Sequence, residues 1–131
     1  MKNEKELTNK FNYFIRKSKT LPDFMQDSYV IEFKILKKNR LNFNSDLRPT
    51  QIPCLLQAKL DCLYYKISDQ SVGAKPFDAF NICGVNAYLA IWIDKLYLID
   101  VEQINNLMKT NKSISQKEIK CLADYIIDLK I

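Results

Sequence analysis

A glutamate and a lysine stand two positions apart in the first third of the chain, at Glu32 and Lys34. In a β-strand both side chains would project from the same face, because side chains alternate across a strand. A carboxylate can ligate a hard cation such as Mg²⁺, and an adjacent ammonium can steady an attacking water or the oxygens of a phosphate. The pair therefore suits metal-assisted phosphodiester hydrolysis, although the same acid-x-Lys pattern recurs by chance at Asp128 and Lys130.

The segment that carries this pair has the composition of a strand. Residues 28–36 are rich in β-branched and aromatic side chains, and apolar residues alternate with Glu32 and Lys34. We therefore predict a strand over these residues. The plainest alternative is a solvent-facing strand surface on which Glu32 and Lys34 serve only in cross-strand ion pairs.

A basic run follows the predicted strand directly and contains Lys37, Lys38 and Arg40. Such a run is commonly a solvated loop. Because it comes immediately after the candidate site, however, the three side chains are also candidates for contacts with a phosphate backbone.

Helices are predicted on both sides of the strand. Apolar residues at helical spacing over Glu6 to Lys17 indicate an amphipathic helix, which Pro22 and Asp23 follow as a turn. Pro49 and Pro53 are tolerated only in the opening turn of a helix, so a second helix should begin near residue 49.

The remaining pattern predicts one α/β domain over residues 1–131, with a central mixed β-sheet flanked by helices. Capping boxes at Asp100/Gln103 and Ser115/Glu118 predict two closing helices, the last with a buried stripe that reaches Ile126 and Ile127. The expected order is α-β-α-β-β-β-β-α-α. Four more strands are expected, over residues 63–68, 77–83, 86–93 and 95–99.

Composition excludes several kinds of site. The chain has no histidine, which removes histidine-based catalytic triads and histidine-ligated zinc. Its two glycines, Gly73 and Gly84, are too few for a glycine-rich phosphate loop. A net charge of +5 is compatible with a polyanionic partner.

The four cysteines suggest an intracellular protein. No two of them form a Cys-x-x-Cys pair, and their apolar neighbours predict reduced, partly buried thiols at Cys54, Cys62, Cys83 and Cys121. The polar, charged start of the chain predicts no signal peptide, and the longest apolar run is too short to span a bilayer. We therefore expect a cytoplasmic location.

Pro22-Asp23 followed by Glu32-Phe33-Lys34 resembles the signature of the PD-(D/E)xK nuclease superfamily. The segments 41–52, 64–69 and 75–80 look like those of small, phage-associated relatives of Holliday-junction resolvases, so the resemblance covers most of residues 28–100. It implies a restriction-endonuclease-like fold and an origin in a phage or a mobile element.

The resemblance also implies roles for individual residues. Glu32 and Asp23 would ligate the metal together with the carbonyl of Phe33, Lys34 would be the catalytic lysine, and Gln51 would face the site from the start of a helix. Asp27 competes with Asp23 for the place of the first aspartate, and either residue can equally be a turn residue. Glu6 on the first helix is a further acidic candidate.

These observations predict a Mg²⁺-dependent DNA endonuclease, with Mn²⁺ as a substitute metal, that acts on branched DNA. The resemblance further implies a homodimer, and no membrane partner is expected. The alternative is a nuclease-fold protein that binds nucleic acid or a protein partner without cutting.

Overall fold

The computed structural model describes residues 1–18, 28–67 and 78–129, in which helices are interspersed with groups of one to four strands. The described helices are α1 (Glu4–Lys17), α2 (Phe43–Asp46), α3 (Gln51–Leu60), α4 (Val101–Thr110) and α5 (Gln116–Leu122). The described strands are β1 (Tyr29–Ile35), β2 (Arg40–Asn42), β3 (Cys62–Ile67), β4 (Asp78–Cys83), β5 (Asn86–Trp92), β6 (Leu96–Asp100), β7 (Ser113–Ser115) and β8 (Tyr125–Ile127). None of the described helices combines the length and apolarity that a bilayer crossing requires.

The main sheet has four strands in the order β1-β5-β6-β8. β1 runs parallel to β5, whereas β5–β6 and β6–β8 are antiparallel pairs. The predicted α/β class with a central mixed sheet is therefore confirmed. Two smaller pairs lie outside this sheet: β2 with β7, and β3 with β4 as a hairpin.

Helices cover both faces of the main sheet. On one face, Leu7 and Phe11 of α1 are buried against Tyr88 and Ala90 of β5. The opposite face packs against a larger cluster that includes buried side chains of α3, α4 and α5. β5 and β6 are almost wholly buried, in accord with the near-continuous apolarity of residues 86–93 in the sequence.

Most predicted elements are present, with small shifts at their ends. α1 begins at Glu4, two residues before the predicted start, because the Asn3 side chain caps it by accepting the Glu6 N–H. The predicted capping box at Ser115 and Glu118 is present at the start of α5. Asp100 caps α4 as predicted, but its side chain accepts the N–H of Glu102 rather than that of Gln103.

The prediction that the last helix extends to Ile126 and Ile127 is wrong. α5 ends at Leu122, and the Asp124 N–H donates to the Leu98 carbonyl at 2.7 Å. This bond leads the chain into β8, the edge strand beside β6. Ile127 is buried while Ile126 is 55% exposed, which is the alternation of a strand. The spacing of Leu122 and Ile126 fits a helix equally well, so apolar spacing alone was ambiguous.

The prediction of four reduced, partly buried cysteines holds for Cys54 and is wrong for the other three. Cys62 and Cys83 form a disulfide and are exposed, and the unpaired Cys121 is exposed as well. The two bonded cysteines face each other across the β3–β4 ladder, with Cα atoms 4.1 Å apart. Twenty-one positions separate them in sequence, so only the strand register reveals the pairing.

Candidate functional site

β1 presents Glu32 and Lys34 on the face of the main sheet that α3 covers. Val30, on the same face, packs against the cluster that includes Leu55 of α3 and Leu89 of β5. Ile31, Phe33 and Ile35 pack on the opposite face against α1. Among the described strands only β5 pairs with β1, so the two polar side chains lie at an edge of the sheet.

Gln51, in the first turn of α3, contacts Glu32 directly. Its Nε2 donates to Glu32 Oε1 at 2.7 Å, and its Oε1 accepts the backbone N–H of Arg48 at 2.9 Å. The second bond fixes which end of the amide points toward Glu32. The structure therefore brings Gln51 into contact with Glu32. Lys34, the third residue that the sequence assigned to this site, is near enough to influence the pKa of Glu32 but lines a neighbouring cavity.

Partial burial shifts the pKa of Glu32. Desolvation raises the pKa of this carboxyl above its usual value, while the positive charges of Lys34 and Arg48 act to lower it and Glu4 adds to the rise. The net effect is a raised pKa, so burial outweighs the nearby cations. A carboxyl perturbed in this way at the wall of a cavity is a common feature of functional sites.

A cavity of about 450 Å³ opens at Glu32. Glu32, Arg48, Thr50 and Gln51 give it a polar lining, and Cys54 together with apolar residues of β1 and α3 completes the wall. The cavity combines a carboxylate, a guanidinium and an amide beside β1. Such a set can bind a cation or one of the oxygens of a phosphate.

Glu4 is a site residue that the sequence did not indicate. It lies in the first turn of α1, is near enough to raise the pKa of Glu32, and lines a second cavity together with Lys34. Glu6, the acidic candidate chosen from sequence, instead accepts the backbone N–H of Lys2 at 2.9 Å and lies 3.9 Å from Lys10 Nζ. No signal in the sequence pointed to Glu4, which lies two residues before the predicted start of the helix.

The three predicted DNA-contacting residues differ in their surroundings. Lys37 is exposed and lines the second cavity. Lys38 lines it too, but its Nζ donates to Asp46 Oδ1 at 2.8 Å. The Arg40 side chain donates to Ser113 Oγ at 2.9 Å and lies 3.7 Å from Glu118, and it lines neither of these two cavities.

All three predicted metal ligands, Asp23, Glu32 and Phe33, remain predictions. Asp23 and its competitor Asp27 lie outside the described residues. Phe33 was predicted to contribute its carbonyl, and its side chain points away from Glu32, with its ring 5.2 Å from that of Phe11. Among the side chains that the structure describes, no three acidic, cysteine or histidine residues converge as a metal site.

Comparisons of the chain with protein-family models, with curated proteins and with solved structures found no match. Inferences about the function of this cavity therefore depend on its own residues and their chemistry.

Proposed function

We propose that the protein is a metal-dependent DNA endonuclease of restriction-endonuclease-like fold that hydrolyses phosphodiester bonds, with branched DNA as its substrate. The observation that supports it most is the contact between Gln51 and Glu32 on the strand that also carries Lys34. Any partly buried carboxylate gains from such a hydrogen bond, and in a catalytic site the same contact would also orient the carboxylate.

The donor set at Glu32 fits Mg²⁺. Magnesium is commonly held by one or two carboxylates and several waters, so Glu32, with Asp23 or Asp27 as the second ligand, is a sufficient protein contribution. Mn²⁺ accepts the same oxygen ligands. A bound ion would supply Lewis-acid polarisation of the phosphate and a lower pKa for a coordinated water.

The chain's own residues then have separate tasks. Lys34 stabilises negative charge on the phosphate oxygens or orients the attacking water. Arg48 lines the same cavity, and its guanidinium can pair with a phosphate in a bidentate manner. Gln51 is a positioning residue, because it contacts Glu32 and fixes the direction of that carboxylate.

Cleavage assays with matched variants test this proposal. Supercoiled plasmid and a four-way DNA junction would be incubated with Mg²⁺ or Mn²⁺ and wild type, Glu32→Gln, Lys34→Ala or Lys17→Ala. We expect wild type and Lys17→Ala to cut, and the first two variants to lose roughly 100-fold or more in rate, as when a charge-stabilising donor is removed. Lys17 is the control, because this exposed lysine lies at the far end of α1 from Glu4.

A non-cutting DNA- or protein-binding protein is the second candidate. Its support is that Glu32 already has a hydrogen-bond donor and a raised pKa, which suit a neutral or amide-bound carboxyl as well as a metal ligand. Salt-dependent DNA binding by wild type with no cleavage in either metal would favour this candidate and contradict the first. The homodimer and the cytoplasmic location remain predictions, which gel filtration and cell fractionation would test.

A further inference from the structure

A second cavity of about 400 Å³ follows the first along the same strand. We call it the lysine cavity, because Lys34, Lys37 and Lys38 line it together with Glu4 and Asp46. It begins at Lys34, two residues beyond Glu32, which corresponds to about 7 Å along a strand. The two cavities therefore follow one another along β1, whose second edge pairs with no strand in the part of the chain that the structure describes.

The charges around the lysine cavity favour an anion by a narrow margin. Its three lysines exceed its two carboxylates by one charge. Asp46 accounts for most of the compensation, because it accepts from Lys38 Nζ at 2.8 Å and from the Asn42 N–H at 2.7 Å. Burial would raise the pKa of Asp46, but these two bonds and the charges of Lys38 and Lys34 hold it below its usual value. Asp46 is therefore ionised at neutral pH.

Lys37 is the cation best placed to receive a ligand. It is exposed, and it forms no ion pair with any residue that the structure describes. Arg40, in the same basic run, is instead held by Ser113 and Glu118. The basic run thus divides into a part that faces the lysine cavity and a part that stabilises the contact between β2 and β7.

We propose that the lysine cavity binds the phosphate adjacent to the scissile one on the same DNA strand, with Lys37 as the principal contact and Asp46 as a counter-charge that limits affinity. The inference rests on the proposed function, since it places the scissile phosphate at Glu32. A strand laid along β1 would present successive phosphates to the two cavities in turn. A free phosphate ion would occupy one cavity and would not need the other.

Binding measured without cleavage tests the lysine cavity separately from catalysis. A fluorescently labelled DNA duplex would be titrated in EDTA with the Glu32→Gln protein, alone or combined with Lys37→Ala, Asp46→Asn or Lys17→Ala, at several salt concentrations. We expect Lys37→Ala to weaken binding about 5- to 10-fold at 0.1 M salt and to reduce the slope of log K against log[salt] by about 0.9, the loss of one phosphate contact.

Of the two other variants, one should gain affinity for DNA and the other is a control. Asp46→Asn keeps a side-chain oxygen for the Asn42 N–H but removes the negative charge, so this variant should bind a few-fold more tightly. Lys17→Ala removes the same charge as Lys37→Ala at a place about 20 Å from Glu4 along α1, two Debye lengths away at 0.1 M salt. Its affinity should match that of the parent protein.

Three results would overturn the proposal: equal affinity of the Lys37→Ala and parent proteins, no gain in Asp46→Asn that circular dichroism shows to be folded at the assay temperature, or an equal loss in Lys17→Ala. Inorganic phosphate distinguishes a free ion from a DNA phosphate. If Lys37→Ala abolishes binding of inorganic phosphate and leaves DNA affinity unchanged, the cavity is a free-phosphate site and the proposal is wrong. If wild type never cleaves DNA but the affinities change as expected, the endonuclease proposal fails and the phosphate contact stands.

Discussion

The two ends of α3 carry polar clusters of opposite character. At its start, Gln51 contacts Glu32, and the burial of that carboxyl is compensated only in part by Lys34 and Arg48. At its end, Lys59 Nζ lies 2.6 Å from Asp100 Oδ2 and 3.0 Å from Glu102 Oε1. Burial would lower the pKa of Lys59, but these two partners raise it above its usual value.

The difference separates a structural cluster from a candidate site. Asp100 also caps α4, and its backbone N–H donates to Asp124, so the Lys59 cluster connects α3, β6 and α4 with its charges paired. The Glu32 cluster has a carboxyl of raised pKa and a cavity that Arg48 also lines. Paired charges within the fold are typical of a structural cluster, whereas a carboxyl of shifted pKa at a cavity is typical of a candidate functional site.

The largest expected effect on stability concerns the structural end of α3. The β3–β4 hairpin leaves α3 there and returns to it, since the Val85 N–H donates to the Ala58 carbonyl. The Cys62–Cys83 disulfide closes this loop. Its loss should lower the free energy of unfolding by about 3 kcal/mol, or roughly 10 °C in melting temperature for a chain of this size.

Cys62→Ser/Cys83→Ser and wild type in dithiothreitol would be melted by circular dichroism, with Cys121→Ser as the control that leaves the disulfide intact. Thiol titration in denaturant should find two thiols before reduction and four after it. Cleavage at 25 °C should be unchanged by reduction, because β1 and Gln51 hold the site. Equal melting temperatures would show that the crosslink does not stabilise this end, and four thiols before reduction would show that it does not form.

The next effect concerns the ion pairs of Lys59. Lys59→Met keeps the aliphatic stem and leaves Asp100 and Glu102 without their cation, which should cost about 1–2 kcal/mol, given that these groups are only partly buried. Urea unfolding would measure the loss. Lys10→Met, which removes an exposed pair at 3.9 Å on α1, should cost less than about 0.5 kcal/mol. Slower cleavage by Lys59→Met with intact folding would contradict its assignment as purely structural.

Much of this fold follows from local sequence rules. Alternation around Glu32 predicts β1, and the Ser115–Glu118 capping box predicts the start of α5. β8 could not be predicted in this way, because a three-residue edge strand is defined by its partner β6 rather than by its own periodicity. The disulfide was missed for a related reason: strand register, which depends on the whole hairpin, decides which cysteines meet.

Only the candidate site residues on β1 and α3 were predicted from the sequence. Glu32 and Lys34 follow from spacing. Gln51 was chosen from a family resemblance, and the structure places its Nε2 2.7 Å from Glu32 Oε1. Glu4 was missed because the predicted helix began two residues late, at Glu6. Likewise the difference between Lys37 and Arg40 depends on tertiary partners such as Ser113, which are more than 70 positions away in sequence.

The smallest expected effect concerns the free energy of unfolding, which the ionised Glu32 carboxylate should lower. Because the folded state raises its pKa above the ordinary 4.5, the folded protein binds this proton more tightly than the unfolded chain. Stability therefore falls as pH rises through the folded-state value. Glu32→Gln imitates the protonated form and can still accept from Gln51. At pH 7 it should be more stable than wild type by a few tenths to about 1 kcal/mol, since solvent screens this partly exposed group.

The difference in stability between Glu32→Gln and wild type should depend on pH. Melting curves from pH 4 to 8 should show the advantage of Glu32→Gln at neutral pH and its disappearance as pH falls toward 4.5. Asp46→Asn should do the reverse and be less stable than wild type at pH 7, because hydrogen bonds from Lys38 and Asn42 lower the pKa of Asp46 despite its burial. If Glu32→Gln is the less stable protein at pH 7, Glu32 is a structural carboxylate of the same kind as Asp100, and the contrast between the two ends of α3 is lost.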